Sequence, residues 1–183
     1  QHARRIIGRF GNIDPGVQES FGGSTKFNPS AKFIMLHTLA HILMLRMQFY
    51  AGYSTSSIRE RVYCDSPGSD EETMSGILLF TSAGDVEGSM GGLARMGQPD
   101  TLFPLILEAL DEATRCSRDP ICIESPGQGI DSLNLAACHS CCLVPETSCQ
   151  YRNQFLDRAL VVGNSKRPEA GFFTRIVELL DEL

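Results

Sequence analysis

A chain of 183 residues that is 42% hydrophobic can bury a core of its own, which excludes a wholly disordered protein. A net charge of −6 argues against a uniformly basic nucleic-acid binder and leaves room only for a local basic strip. The strongest apolar run, Phe33 to Leu45, is interrupted by His37 and His41 and is too short to span a bilayer, so a soluble protein with no membrane partner is expected.

The first residue is Gln1 rather than Met, which suggests a piece of a longer protein, and no apolar leader core follows it. Residues 1–29 read as an irregular arm or linker, because Gly8, Gly11, Gly16, Gly22 and Gly23 interrupt any period. Arg4, Arg5 and Arg9 lie close together within it. Asn28-Pro29-Ser30 then opens a helix predicted over Ala31 to Ala51, with Gly52 placed to stop it. Apolar residues run nearly all the way round that helix, so it should be central and buried.

Ser57-Ile58-Arg59-Glu60 has the spacing of a capping box and predicts a short helix ending near Tyr63-Cys64. The acidic stretch 65–74 reads as a surface loop. Gly76 to Thr81 is apolar without alternation, which suits a strand covered on both faces, as in a parallel sheet. A glycine-rich loop follows, then a helix from about Pro99 to Arg115; this order suggests an α/β unit. After a cysteine-rich region, one helix is predicted from about Cys149 to Val161. An amphipathic helix from about Gly171 to Leu183, bearing Phe172, Phe173, Ile176, Val177, Leu179, Leu180 and Leu183, ends the chain. The expected fold class is α/β and helix-rich: a single domain over 30–183 with a central buried helix, a small mostly parallel sheet and a cysteine-rich loop region.

Six of the seven cysteines fall between positions 116 and 149. Such crowding without a signal peptide points to a reducing compartment, the cytoplasm, and to a metal. Cys138 and Cys141 form a CxxC turn, which presents two thiolates to one ion. Cys116 and Cys122 form a wider pair whose loop Asp119-Pro120 could bend, and together the pairs complete the tetrahedron of a structural zinc site. Cys142 and Cys149 are possible substitutes, and His139 a possible nitrogen ligand. The plain alternative is a cluster of small buried side chains, the reading preferred for Cys64.

His37 and His41 lie one turn apart on one helix face, but Thr38 stands where a zinc protease needs its glutamate. Two histidines on an apolar helix are either core residues with buried partners or groups facing the glycine loop. That loop carries Asp85, Glu87, Gly91 and Gly92 after the end of a strand, where α/β sheets place ligands. With Asp85 and Glu87 the histidines would make a metal-dependent hydrolase or nuclease; otherwise the loop is simply solvated. No phosphate-binding GxxxxGK element occurs.

Five phrases in order carry a family resemblance: HTLAHILML (37–45), SIRERVY (57–63), GILLFTSAGDVEGSMGGLARMG (76–97), CSRDPIC (116–122) and NLAACHSCCLVPETSCQYRNQFLDRALVVG (134–163). Over residues 30–163 the chain resembles the C-terminal domain family of DrmB proteins of DISARM antiphage defence and, more distantly, of MrfA-type repair helicases. The resemblance maps the family's cysteine signature onto Cys116, Cys122, Cys138 and Cys141, with Cys149 also matching. Cys142 stands where relatives carry an aliphatic residue, so the choice among Cys141, Cys142 and Cys149 stays open. It implies a non-catalytic zinc module that partners a superfamily 2 helicase subunit or an upstream domain of the same protein. Arg4, Arg5 and Arg9 would then lie nearest DNA, which the module would contact weakly or indirectly. A repair-helicase domain and the metal-dependent hydrolase are the rival readings.

Overall fold

The computed structural model describes residues 2–22, 27–51, 54–64, 74–81 and 92–182. Because a helix with apolar residues on every side must be enclosed on every side, the fold is arranged around helix α3 (Ala31–Ala51). Its start is capped by the Ser30 hydroxyl, which accepts from Phe33 N at 3.0 Å. Phe33, Ile34, Ala40, Ile42, Leu43, Met44 and Met47 are all buried.

Residues preceding α3 are not an irregular arm where described. They form α1 (His2–Phe10) and α2 (Pro15–Gly22). Ala3, Ile6 and Phe10 recur on one helical face and are buried, a period that the glycines obscured. Gly8 sits on the outer side with open space around it, so it costs helix propensity and no packing. Asp14 Oδ1 accepts from Gly16 N at 2.8 Å and opens α2, with Pro15 at its first position. Phe10 and Phe21 meet Phe155 edge-on, with ring centroids 5.3 and 5.2 Å away, and so tie both helices to the far end of the chain.

Two further expectations fail together. Ile58 to Cys64 is a strand, β1, rather than a short helix, and β2 (Ser75–Thr81) pairs with it antiparallel, from Ile58↔Thr81 to Cys64↔Ser75. The burial alternates: Ile58, Glu60 and Val62 face inward while Arg59, Arg61 and Tyr63 face out, a period of two rather than 3.6. Glu60 therefore does not reach back to a helix cap. Ser54 instead caps a single 3-10 turn at Thr55–Ser57. The sheet is antiparallel because the connection from Cys64 to Ser75 is shorter than the dozen or so residues that a parallel crossover needs. One face of β2 stays open, with Leu78 and Phe80 exposed.

Helix α4 (Gly92–Met96) begins at Gly92, inside the stretch read as a loop, and α5 (Pro99–Ala113) follows. Gly52, Asp85, Glu87 and Gly91 lie outside the described residues. The helix expected over 149–161 is reduced to α6 (Ala159–Val162). Arg152, Asn153 and Phe155 have φ of 53°, 57° and 64°, in the left-handed region that ends helices. The backbone donors of that segment are diverted: Leu156 N donates to Asn134 Oδ1 at 2.9 Å, and Asn153 N to Cys149 Sγ at 3.2 Å. Helix α7 (Thr174–Asp181) packs against α5 and α6, burying Val177 and leaving Ile176 and Leu179 exposed.

The N-terminal helix is fastened by a side chain as well as by its apolar face. Arg9 donates to the carbonyls of Ser132 at 2.8 Å and Pro126 at 2.6 Å. A Cβ on Gly127 would meet Arg9 Nη1 and Ser132 Cβ at 2.7 Å, so only glycine lets that approach occur. If α1 belongs to the core, Ile6→Ala should cost about 2–5 kcal/mol in urea unfolding. Arg4→Ala, on the outer face, should leave the midpoint unchanged.

Candidate metal centre

The loop that carries Cys116 and Cys122 leaves the end of α5 and has no regular structure to fix it. Side chains fix it instead. Asp119 Oδ2 accepts from Cys116 N at 2.9 Å and its Oδ1 from Ile123 N at 3.0 Å. Arg158, fully buried, donates from Nη2 to both Asp119 oxygens at 2.7 and 2.9 Å and from Nη1 to Ala113 O at 2.7 Å. This fork ties the loop to α5 and α6 in one geometry, which the point charge of a lysine would not do. The second pair is held by a tight turn, with Cys141 N and Cys142 N both donating to Cys138 O at 3.1 and 3.0 Å.

These two loops bring Cys116, Cys122, Cys138 and Cys141 together, with all four sulfurs within 4.8 Å of one another. The Cys116–Cys138 sulfurs are 3.5 Å apart, and Cys122–Cys141 and Cys138–Cys141 each 3.7 Å. A zinc–thiolate tetrahedron with bonds of about 2.3 Å has edges of about 3.8 Å, so the spacing fits zinc. Backbone N–H groups support the sulfurs, from Arg118 to Cys116 and from Cys138 to Cys141, each at 3.4 Å. Without an ion, Cys116, Cys122 and Cys141 resist ionisation. The bond to Cys141 and burial push the Cys122 thiol up, and burial does the same to Cys116. A dication reverses that balance, because coordinated thiols lose their protons. The residues fit a structural zinc ion, which would cross-link the two loops.

A second polar cluster lies in the core. His37 and His41, both fully buried on α3, meet Glu60 of β1 and Cys149 inside the core, while the glycine loop they were expected to face lies mostly outside the described residues. His37 Nε2 is 2.9 Å from Glu60 Oε1 and 3.3 Å from Cys149 Sγ. His41 Nε2 is 3.3 Å from the same Glu60 oxygen, while its Nδ1 donates to Cys142 O at 2.8 Å. Burial works against charge on both imidazoles, yet Glu60 and Cys149 outweigh it, raising His37 to about 9 and His41 to about 10. Burial likewise opposes ionisation of the two acids. The histidines nevertheless hold Glu60 well below the usual carboxylate range and bring Cys149 down to about 7.

The remaining candidates fall elsewhere. Cys142 is buried and its sulfur joins neither cluster. His139 is exposed, outside both. Arg4 and Arg5 are exposed, and Arg9 is occupied by the two carbonyls. Sequence reasoning missed Glu60, whose signal was a carboxylate in register with Ile58 and Val62 on an inward face. It also missed Arg158 and Asp119 as supports of the loop, for which spacing carries no signal. No helix among the described residues is long and apolar enough to cross a membrane.

Asp119→Ala should untie the Cys116–Cys122 loop without removing a sulfur. Zinc affinity, measured by competition with a chromophoric chelator, is expected to fall roughly 10- to 100-fold. Cys64→Ser should leave it unchanged.

The profile of the family described as "MZB: MrfA Zn-binding domain" matches residues 39–142, more than half of the chain and all four clustered cysteines. The "DISARM protein DrmB" of Bacillus paralicheniformis is 39% identical over 165 residues, which is 90% of this chain. The chain spans 28% of that relative's length.

Proposed function

The chain belongs to the MrfA Zn-binding domain family, and on that footing we propose that it is a non-catalytic, zinc-stapled module of a DrmB-like antiphage defence protein, working in the cytoplasm beside a DNA helicase. The observation that carries this reading is the convergence of Cys116, Cys122, Cys138 and Cys141. Four thiolates complete the coordination of zinc and leave no position for water or substrate, so such an ion staples and does not catalyse. The hydrolase reading loses support because His37 and His41 are 0% exposed and face Glu60 and Cys149 inside the core. The DrmB relative matches 90% of the chain, which favours the defence setting over a repair helicase.

The partner is a superfamily 2 helicase subunit or an upstream domain of the same polypeptide. Supporting this are Phe103 and Leu107 on α5 and Phe172, Ile176 and Leu179 at α7, exposed apolar residues on two helices that pack together. DNA contact is weak and falls to Arg4 and Arg5, since Arg9 is engaged by carbonyls.

Elemental analysis of single Cys→Ser variants at positions 116, 122, 138 and 141 tests the staple. Each should lose the ion from this centre and open the loops to limited proteolysis, with a loss of folding stability of up to about 10 kcal/mol. Four variants that keep their full zinc content would sink the reading. For DNA, the logarithm of affinity should fall with the logarithm of salt with a slope of only about −2, as two phosphate contacts imply. The double variant Arg4→Ala/Arg5→Ala should abolish that residual binding in a fluorescence anisotropy titration.

A further inference from the structure

We propose that His37, His41, Glu60 and Cys149 form a second zinc site, separate from the four-cysteine centre, that pins β1 and the segment around Cys149 to α3. The four donor atoms lie within 4.8 Å of one another, as close as the four sulfurs of the first cluster. Three of the six pairs are closer still: His37–Glu60 at 2.9 Å and His37–Cys149 and His41–Glu60 each at 3.3 Å. A tetrahedron with zinc–nitrogen and zinc–oxygen bonds near 2.0–2.1 Å and a zinc–sulfur bond near 2.3 Å has edges of about 3.3–3.6 Å. Those three pairs need to open by only a few tenths of an ångström to reach that figure.

The hydrogen bonds around the cluster also leave room for an ion. Cys142 O can only accept, so the bond at 2.8 Å places the His41 proton on Nδ1. The gap between Nε2 and Glu60 Oε1, an acceptor 3.3 Å away, then takes a positive charge, either a second proton on His41 or a metal ion bound by the Nε2 lone pair. A metal ion there would take the place of the proton that the imidazole otherwise shares with Glu60. The carbonyl bond is itself the outer-shell contact that orients a metal-binding imidazole. Glu60 Oε2 is buried with no partner among the described residues, so the carboxylate is not satisfied by protein alone.

Charge and ligand chemistry select the ion. One carboxylate and one thiolate neutralise a dication, so the filled site buries no net charge in a core where unpaired charge is costly. Two imidazoles, one oxygen and one sulfur suit zinc better than the all-oxygen preference of magnesium or calcium. Cys149 Sγ accepts from Tyr151 N at 3.3 Å and Asn153 N at 3.2 Å, the same backbone support that the first cluster's sulfurs receive. With four protein ligands and full burial the site is closed, and its role is to hold the core together.

Zinc per chain is measured by mass spectrometry on protein purified without chelator and dialysed against excess zinc. The unsubstituted chain should hold about two ions, and Cys149→Ser or His37→Gln about one, retained by the four cysteines. Cys138→Ser should also hold about one, at the other site, so failure of either centre is read separately. A single ion in the unsubstituted chain would overturn the proposal, as would two ions in Cys149→Ser and His37→Gln. Should the variants not fold, zinc-edge X-ray absorption of the unsubstituted chain decides: about five sulfurs to three nitrogen or oxygen ligands supports two sites, and an all-sulfur shell refutes the second.

Discussion

An apolar helix that carries two imidazoles sets the terms for everything packed around it. Burying α3 removes His37, Thr38 and His41 from water, and each polar atom then needs a partner from another element. Thr38 is satisfied locally and at long range at once, donating to Ile34 O at 2.7 Å and accepting from Asp157 N at 2.9 Å. The histidines recruit Glu60 from β1, the Cys142 carbonyl and Cys149. The strand register follows from this. A slip of β1 by one residue would turn Arg59 and Arg61 onto the imidazoles and carry Glu60 into solvent.

Between α5 and α6 the chain has almost no regular secondary structure, yet it contains much of the core. Its backbone groups must find other partners, and side chains supply them. Asn134 bridges Asn153 O and Leu156 N, and Asn153 both donates to and accepts from the Val144 backbone. Arg158 and Asp119 do the same for the first cysteine loop. The two polar clusters are joined here: Cys141 belongs to one, and the carbonyl of the next residue orients His41 in the other. A disturbance of the four-cysteine turn therefore reaches the centre of the core through a single peptide unit.

The first cluster was legible because its information is local. A CxxC turn and a second pair at short range determine which sulfurs can meet almost regardless of the surroundings, and the geometry selects Cys141 over Cys142 and Cys149 at that centre. The second cluster was only half legible. The i, i+4 spacing put His37 and His41 on one face and their inward direction followed from the apolar helix, but their partners arrive from 19 to 112 positions away. No local pattern states which carboxylate or thiol completes such a set.

The sequence by itself determined α3 to its terminal residues, the existence of β2, α5 and α7, and the four-cysteine grouping, because periodicity and short-range spacing act within one element. Tertiary structure decided the rest. His2–Phe10 and Pro15–Gly22 became helices because Ala3, Ile6, Phe10 and Phe21 found a core in which to bury themselves. Ile58 to Cys64 became a strand because Glu60 satisfies two buried imidazoles there, which outweighs a local cap on an exposed turn. Residues 149–158 gave up a predicted helix because their N–H groups serve Cys149, Asn134 and Thr38. In each case a buried partner supplied from far along the chain outweighed the local preference, and only the folded chain brings such partners within reach.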